Sequence, residues 1–302
     1  DGLVTGVQTC ALPIFDKGTH LEMAIADHPW VDSGNGAAVR IAMTVLAVGA
    51  GEGQVFTVTD ERPGEHGEIS VALTEAAGLV HADLTVGANV ASAKQLQAAR
   101  GLANRGVIPH GAGMVLTPVQ AQAVGLGSLP GLERHVRPYR NGKDLTDKPR
   151  GVLVIDCHGL NAEEVREQFP ALYQWLLERV KPDRDQNPDK DLRTKWWLHR
   201  RNNEDMRKSL TNLTCYIATG QVSKHRVFQF LDASILPDDK LIAIALEDAF
   251  SLGILSSQLH INWALATGGT LEDRPVYSKS TCFDTFPFPD EDTGLTPQLR
   301  ER

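Results

Sequence analysis

Arg137-Pro138-Tyr139-Arg140-Asn141-Gly142-Lys143-Asp144-Leu145 places Arg137, Arg140, Asn141 and Lys143 in a Gly/Pro setting. Side chains freed in this way can project toward phosphates or the O6/N7 edge of guanine. Much further along, Lys279-Ser280-Thr281-Cys282-Phe283-Asp284-Thr285-Phe286-Pro287-Phe288-Pro289 forms an aromatic run broken by proline. Read together, these two stretches decide the fold: the first reaches outward, and Phe283, Phe286 and Phe288 of the second pack a domain together.

The charge pattern around the first run supports that reading. The chain of 302 residues is acidic overall, with a net charge of −8. Divided along its length, residues 134–226 are net +6, whereas residues 1–133 and 227–302 are each −7. A footprint on a nucleic acid needs a local basic face rather than a basic whole. On charge alone, a solvated charged surface explains the pattern equally well. Within the basic third, Arg193, Lys195, Arg200, Arg201, Arg207 and Lys208 surround Trp196-Trp197, and Lys224-His225-Arg226 enters an apolar run. Basic residues interleaved with aromatics suit a nucleic-acid groove, although at least one of the two tryptophans is expected in the core.

Composition excludes several classes. A hydrophobic share of 42% and a charged share of 23% are ordinary for a globular protein. No stretch approaches the roughly 18 apolar residues of a membrane span. Cys157, Cys215 and Cys282 are far apart, which suggests reduced thiols in a cytoplasmic protein rather than a disulfide framework. The ten histidines show no metal-ligand clustering.

Further motifs lie between the two opening stretches: Lys224-His225-Arg226-Val227-Phe228, Leu231-Asp232-Ala233-Ser234-Ile235-Leu236-Pro237 and His260-Ile261-Asn262-Trp263-Ala264-Leu265-Ala266. In this order they resemble the target-recognition region of MmeI-like DNA methyltransferases, single-chain bacterial restriction–modification enzymes. The resemblance covers roughly residues 20 to 290. It implies an α/β chain: C-terminal strands of a Rossmann-like methyltransferase sheet over residues 15–60, a mixed α/β target-recognition domain over 61–290, and the start of a helical region over 291–302. It also implies double-stranded DNA as the partner. The loop, the basic stretch around the tryptophans and the Lys224–Arg226 entry together give Arg137, Arg140, Asn141, Lys143, Arg193, Lys195, Arg200, Arg201, Lys224 and Arg226 as candidate DNA-binding residues.

The implied parent, part of a restriction–modification or phage-defence system, transfers a methyl group from S-adenosylmethionine to adenine N6 after extruding the base. Its Asn-Pro-Pro-Tyr/Phe tetrapeptide and cofactor loop are expected upstream, because the sequence holds no Pro-Pro pair. The chain is therefore expected to be an inactive fragment that binds no cofactor itself. Val4–Ile14 looks like a translated sequencing adapter, so residues 1–14 are set aside as foreign. The alternative reading is a DNA-binding subunit or nuclease-linked defence protein without methyltransferase activity. A protein-interaction module is a third. The DNA recognition sequence, the presence of a nuclease domain and the oligomeric state are not legible.

Periodicity predicts strands at 20–25, 37–46, 55–59, 69–73, 113–117, 152–156, 216–219, 227–231 and 241–245. It predicts helices at 91–104, from Asn161 through Val180 with a bend near Pro170, and at 248–266. Asn161 with Glu164 is a capping-box signature. Gly49-Ala50-Gly51-Glu52-Gly53 could pass for a cofactor loop, but the strand-like residues after it favour a hairpin turn. Gly125–Gly131 is interrupted by Pro130, and Pro237-Asp238-Asp239-Lys240 reads as a turn rather than a nuclease carboxylate–lysine set.

Overall fold

A computed structural model of the chain describes residues 18–30, 39–63, 69–271 and 274–301. The adapter-like segment 1–14 lies outside them. The chain divides into two compact units, Asp1–Ala93 and Lys94–Arg302.

The first unit is a four-stranded sheet of β1 (Thr19–Trp30), β2 (Val39–Val48), β3 (Gly53–Pro63) and β4 (Ile69–Gly78), in the order β2-β1-β3-β4. The β1–β2 and β3–β4 pairs are antiparallel and β1–β3 is parallel. A small core of Leu21, Ala24, Val55, Val80 and Leu84 holds it. The four expected strands are present, but Gly49–Gly53 is not a hairpin turn, because β2 and β3 lie on opposite sides of β1. The link passes the start of β1, where His20 Nδ1 lies 2.8 Å from the Gly49 carbonyl. A Cβ on Gly51 would lie 2.4 Å from the His20 ring, and one on Gly53 would lie 2.0 Å from the Leu21 carbonyl oxygen. These two glycines therefore serve close packing within the chain and leave no cradle for a cofactor. The expected domain boundary at residue 60 would cut β3; the unit instead continues to Ala93, because β4 pairs along the whole of β3.

The second unit stacks two small sheets. Its elements begin with β5 (Ala103–Arg105), β6 (Val115–Leu116), α1 (Pro118–Ala123), β7 (Val136–Arg140), α2 (Lys143–Thr146) and β8 (Leu153–Ile155). Five short helices follow: α3 (Ala162–Gln168), α4 (Pro170–Arg179), α5 (Lys181–Asp185), α6 (Lys190–Thr194) and α7 (Glu204–Ser209). Then come β9 (Cys215–Gly220), β10 (Gln229–Asp232), β11 (Leu236–Pro237), β12 (Leu241–Ile244), α8 (Ala249–Ser256), α9 (Gln258–Thr267), β13 (Gly269–Leu271), β14 (Arg274–Val276) and α10 (Pro297–Arg300). One sheet runs β10-β9-β12-β5 and the other β11-β7-β8-β6.

Strand alternation explains how they stack. Successive strand residues face opposite sides. Tyr216 and Ala218 of β9, with Leu241 and Ala243 of β12, join Tyr139 and Val154 of the other sheet in a shared core. Ile217, Ile242 and Ile244 point the other way, onto Leu255, Ala264, Tyr277 and the Phe283 clasp. Ile155 of β8 faces α3 and α4 through Val165, Leu172 and Leu176. Both sheets are thus apolar on both faces, as sheets covered on both sides require.

The clasp aromatics pack as expected. Phe283 and Phe286 are buried, and the Phe286 ring meets His260 edge-on at 4.4 Å. His260 and the Tyr277 hydroxyl lie 2.9 Å apart in the same core. Burial and the nearby Arg226 hold His260 at a pKa of about 4, so it is neutral.

Three helical expectations need correction. Residues 91–104 form two short 3-10 turns and strand β5, because Gly101 takes φ +82 and Ala103–Arg105 pairs with β12. Tertiary pairing overrides the helix propensity of the alanines and glutamines. The Asn161–Glu164 capping box is present, with reciprocal bonds of 2.9 and 2.7 Å. The helix does not bend at Pro170 but stops at Gln168 and restarts with Pro170 at its first position, and it ends at Arg179. The 248–266 helix is likewise two helices, divided at the extended Ser257, whose hydroxyl caps α9.

Asp144 fixes the turn between β7 and α2. Its carboxylate accepts from the Asn141 N–H at 2.9 Å, the Arg150 N–H at 2.9 Å and the Arg150 guanidinium at 2.7 Å. Burial opposes ionisation, but the Arg150 guanidinium and the two backbone N–H groups outweigh it and hold the carboxyl at about 2, below the usual 3.8. A depressed pKa stabilises the fold above the unfolded value, and the gain is lost as pH falls through the folded one. Asp144→Asn should therefore lower stability by about 2 kcal/mol at pH 7. The deficit should shrink steadily from pH 4 toward pH 2 in denaturant titrations. An equal deficit at both ends would contradict this assignment.

Candidate functional site

Two strand ends and a turn meet at one rim of the second unit. Strand β7 ends at Arg140, β9 ends at Gly220, and the turn Asp238–Lys240 links β11 to β12. The Asp238 N–H donates to the Arg140 carbonyl at 2.8 Å, and the Gln221 N–H donates to the Lys240 carbonyl at 2.8 Å. The Tyr139 hydroxyl donates to Asp238, tying β7 to the turn. Gly142 and Gly220 approach so closely that a Cβ on either would lie 3.8 Å from the other's Cα. Lys143 follows Gly142; Val222 and Ser223 fold back beside Gly220, and Lys224, next in the chain, lines a cavity with Ile261, Leu265 and Pro275. The chain segments carrying Arg140, Lys143, Lys224 and Lys240 are brought to this rim, and no acidic side chain pairs with these four among the described residues.

A second cationic group lies beside them. Arg105 donates from Nε to the Asp239 carbonyl at 3.1 Å and from Nη2 to Asp239 Oδ2 at 2.6 Å and Gln221 Oε1 at 3.2 Å. Arg201 faces the other carboxylate oxygen, Asp239 Oδ1, at 3.5 Å. A bridge between Ile108 and Arg201, and another between Val107 and Asp238, hold these segments together.

The structure sorts the sequence-derived candidates. The segments carrying Arg140, Lys143 and Lys224 come together at the rim, and Arg201 stands beside them. Asn141 is there too, but its side-chain oxygen is occupied by the N–H groups of Lys143 (3.0 Å) and Asp144 (3.3 Å). Arg200 is exposed next to Arg201. Arg193 donates to the Asn187 carbonyl, and Lys195 is exposed just beyond α6. Nothing among the described residues joins these last two to the rim.

Arg137 and Arg226 are not free loop cations. Arg137 lies within β7, donating to the carbonyls of Ser234 at 2.9 Å and Ala233 at 2.8 Å, with the buried Asp156 at 3.6 Å. Arg207 makes a two-pronged bond to the same carboxylate, both prongs at 2.8 Å. Arg226 donates to Gly220, Thr219 and Pro275 and lies over the Tyr277 ring at 5.0 Å. Burial lowers the pKa of both Arg137 and Arg226, and each is engaged in holding strands. A cavity of about 390 Å³ beside Arg137 is lined by Arg207, Lys208, Met206 and Leu236. Both of its guanidiniums are committed to Asp156 and backbone carbonyls.

The aromatic expectation also changes. Trp196 is buried, and the Trp197 indole N–H donates to the Leu160 carbonyl at 2.9 Å, so both tryptophans belong to the α3–α4 core rather than a stacking groove. Sequence reasoning missed Arg105, Gln221, Asp239 and Lys240. Only the reading of Pro237–Lys240 as a turn pointed near them. Among the described residues, no His/Cys/Asp/Glu group could hold a metal ion, and no helix is long and apolar enough to cross a membrane.

Comparisons with known proteins bear on this geometry. Curated protein sequences give no match. Among solved structures, the chain is similar to the Type IIL restriction–modification enzyme MmeI in complex with DNA, with a TM-score of 0.72 at 16% identity. That match covers 97% of this chain and 38% of the other, so the chain spans well under half of that enzyme's length. At such identity the likeness concerns the fold. The sequence profile described as "MmeI, target recognition domain" matches residues 90–290, which takes in both sheets, the rim and the aromatic clasp. The chain belongs to the MmeI target recognition domain family.

Proposed function

We propose that the chain binds double-stranded DNA and reads its sequence, as the recognition portion of a longer restriction–modification methyltransferase. The observation that carries this reading is the convergence of the segments carrying Arg140, Lys143, Lys224 and Lys240, unpaired with acids among the described residues, at one rim built from two strand ends and a turn. Unpaired surface cations suit phosphates, whose neutralisation releases counterions and makes affinity fall with salt. Arg200 and Arg201 extend the basic surface along one side. We assign Arg137 and Arg226 to the scaffold under this surface, and Arg193 and Lys195 to its periphery.

Methyl transfer belongs to the parent enzyme. We infer that the substrate atom is adenine N6 and the donor S-adenosylmethionine, on the strength of the family resemblance. The glycine-rich loop of the first unit does not fit that donor. The one glycine-rich loop that follows a strand, Gly49–Gly53, is filled by His20 and the Leu21 carbonyl. The four-stranded sheet of the first unit corresponds in this reading to the last strands of the methyltransferase sheet. The structural likeness extends over it, although its pairing is largely antiparallel. The protein is assigned to the cytoplasm with its DNA.

Two outcomes test this. In fluorescence anisotropy with duplex DNA, Arg140→Ala, Lys143→Ala, Lys224→Ala and Lys240→Ala should each weaken binding evenly across sequences. Each should reduce the salt slope by about 1 for every phosphate that the variant no longer neutralises. Arg166→Ala, exposed on α3, should bind like the parent sequence. Rim variants indistinguishable from Arg166→Ala at every salt concentration would remove the proposal. The isolated chain, given labelled S-adenosylmethionine and mixed-sequence duplex, should leave the DNA unlabelled, and transfer above a protein-free blank would contradict the assignment of catalysis elsewhere.

A further inference from the structure

Arg201 differs from Arg140, Lys143, Lys224 and Lys240 in one respect: a carboxylate stands against it. Its side chain is 55% exposed, and Asp239, only 17% exposed, faces its Nη1 at 3.5 Å. That separation is an ion pair without a hydrogen bond, and Asp239 Oδ1 has no hydrogen-bond partner among the described residues. The opposite oxygen, Oδ2, is held by Arg105 at 2.6 Å, and Arg105 is itself braced by Gln221 and the Asp239 carbonyl. Arg105 thus fixes the carboxylate, and the carboxylate draws the Nη1 end of Arg201 toward itself by charge. The Nε and Nη2 edge of Arg201 has no partner among the described residues.

Two physical consequences follow. Asp239 is shared between two guanidiniums, so Arg105, Asp239 and Arg201 together present a phosphate with less positive charge than two unpaired arginines would. The pairing leaves untouched the planar pair of N–H donors, whose value lies in geometry rather than net charge. Biasing the side chain toward one orientation also removes part of the rotamer entropy that binding would otherwise have to overcome. Arg140, Lys143, Lys224 and Lys240 have no such brace and suit phosphates. The braced Arg201 suits a base edge with two acceptors side by side, which in the major groove is guanine O6 and N7.

Resting on the reading of the rim as a DNA surface, the geometry points to Arg201 as a specificity determinant that reads the guanine of one G·C pair, with Asp239 and Arg105 as its positioning residues. The test is selection of bound duplexes from a pool with a randomised segment, followed by competition with single-base variants of the selected site. The protein with its own sequence should select guanine at one position. Arg201→Ala should lose that preference by roughly 5- to 150-fold while keeping the others. Asp239→Asn should relax the same position in part and no other, a result that a merely structural role would not give. Melting temperatures of both variants should be recorded, and Arg201→Ala, being exposed, should melt like the parent.

Unchanged sequence preference in Arg201→Ala would overturn the proposal. So would an even loss across all positions with a reduced salt slope, which would make Arg201 another phosphate contact and leave the rim reading intact. If Arg140→Ala and Lys143→Ala also bind normally, the rim reading itself falls, and this proposal with it.

Discussion

The arrangement depends on β9 and β12 being apolar on both faces. Tyr216 and Ala218 of β9 look into the core shared with β7 and β8, while Ile217 looks toward the helices and the clasp. The same alternation in Leu241–Ile244 makes β12 the second central strand of that sheet. A strand built this way cannot slip by one residue without exchanging its whole set of side chains between two different cores. The register is therefore fixed, and with it the positions of the strand ends. Gly220 and Lys240 sit where they do because Gly220 pairs with Leu241.

From that constraint the rim follows. The strands bring together residues separated by most of the basic third and by part of the acidic flank beyond it. The turn at Asp238–Lys240 contributes Lys240 and Asp239, although its segment of sequence is net negative. A basic surface is thus assembled by topology from pieces that a charge average along the chain does not single out. Beneath it, Asp156 gathers Arg137 and Arg207, and Asp144 gathers Arg150 and the N–H of Asn141. The buried carboxylates hold the frame, and the exposed cations without them remain available.

Much of the strand content was legible because period-two alternation and β-branched residues survive in short segments such as Leu241–Ile244. The split at Ser257 was readable in principle, since serine at that place is a helix cap, but the apolar run on both sides hides it. The stretch 91–104 misled because alanine and glutamine favour a helix, while the pairing of Ala103–Arg105 with β12 is a long-range event. The fate of the arginines was the least legible. Arg137 and Arg140 look alike in sequence, three residues apart. One meets Asp156 and the carbonyls of Ala233 and Ser234, and the other meets none of them. The difference lies in partners distant along the chain, as it does for Arg201 and Asp239.

The proposed DNA surface is the rim of Arg140–Lys143, Gly220–Lys224 and Asp238–Lys240. Backbone hydrogen–deuterium exchange, measured with and without saturating duplex at low salt, tests it most directly. DNA should slow exchange at these three segments and at Arg200–Arg201, and leave the α3–α4 layer unchanged. Protection confined to α3–α4 or to the aromatic clasp, with the rim exchanging as in the free protein, would contradict it.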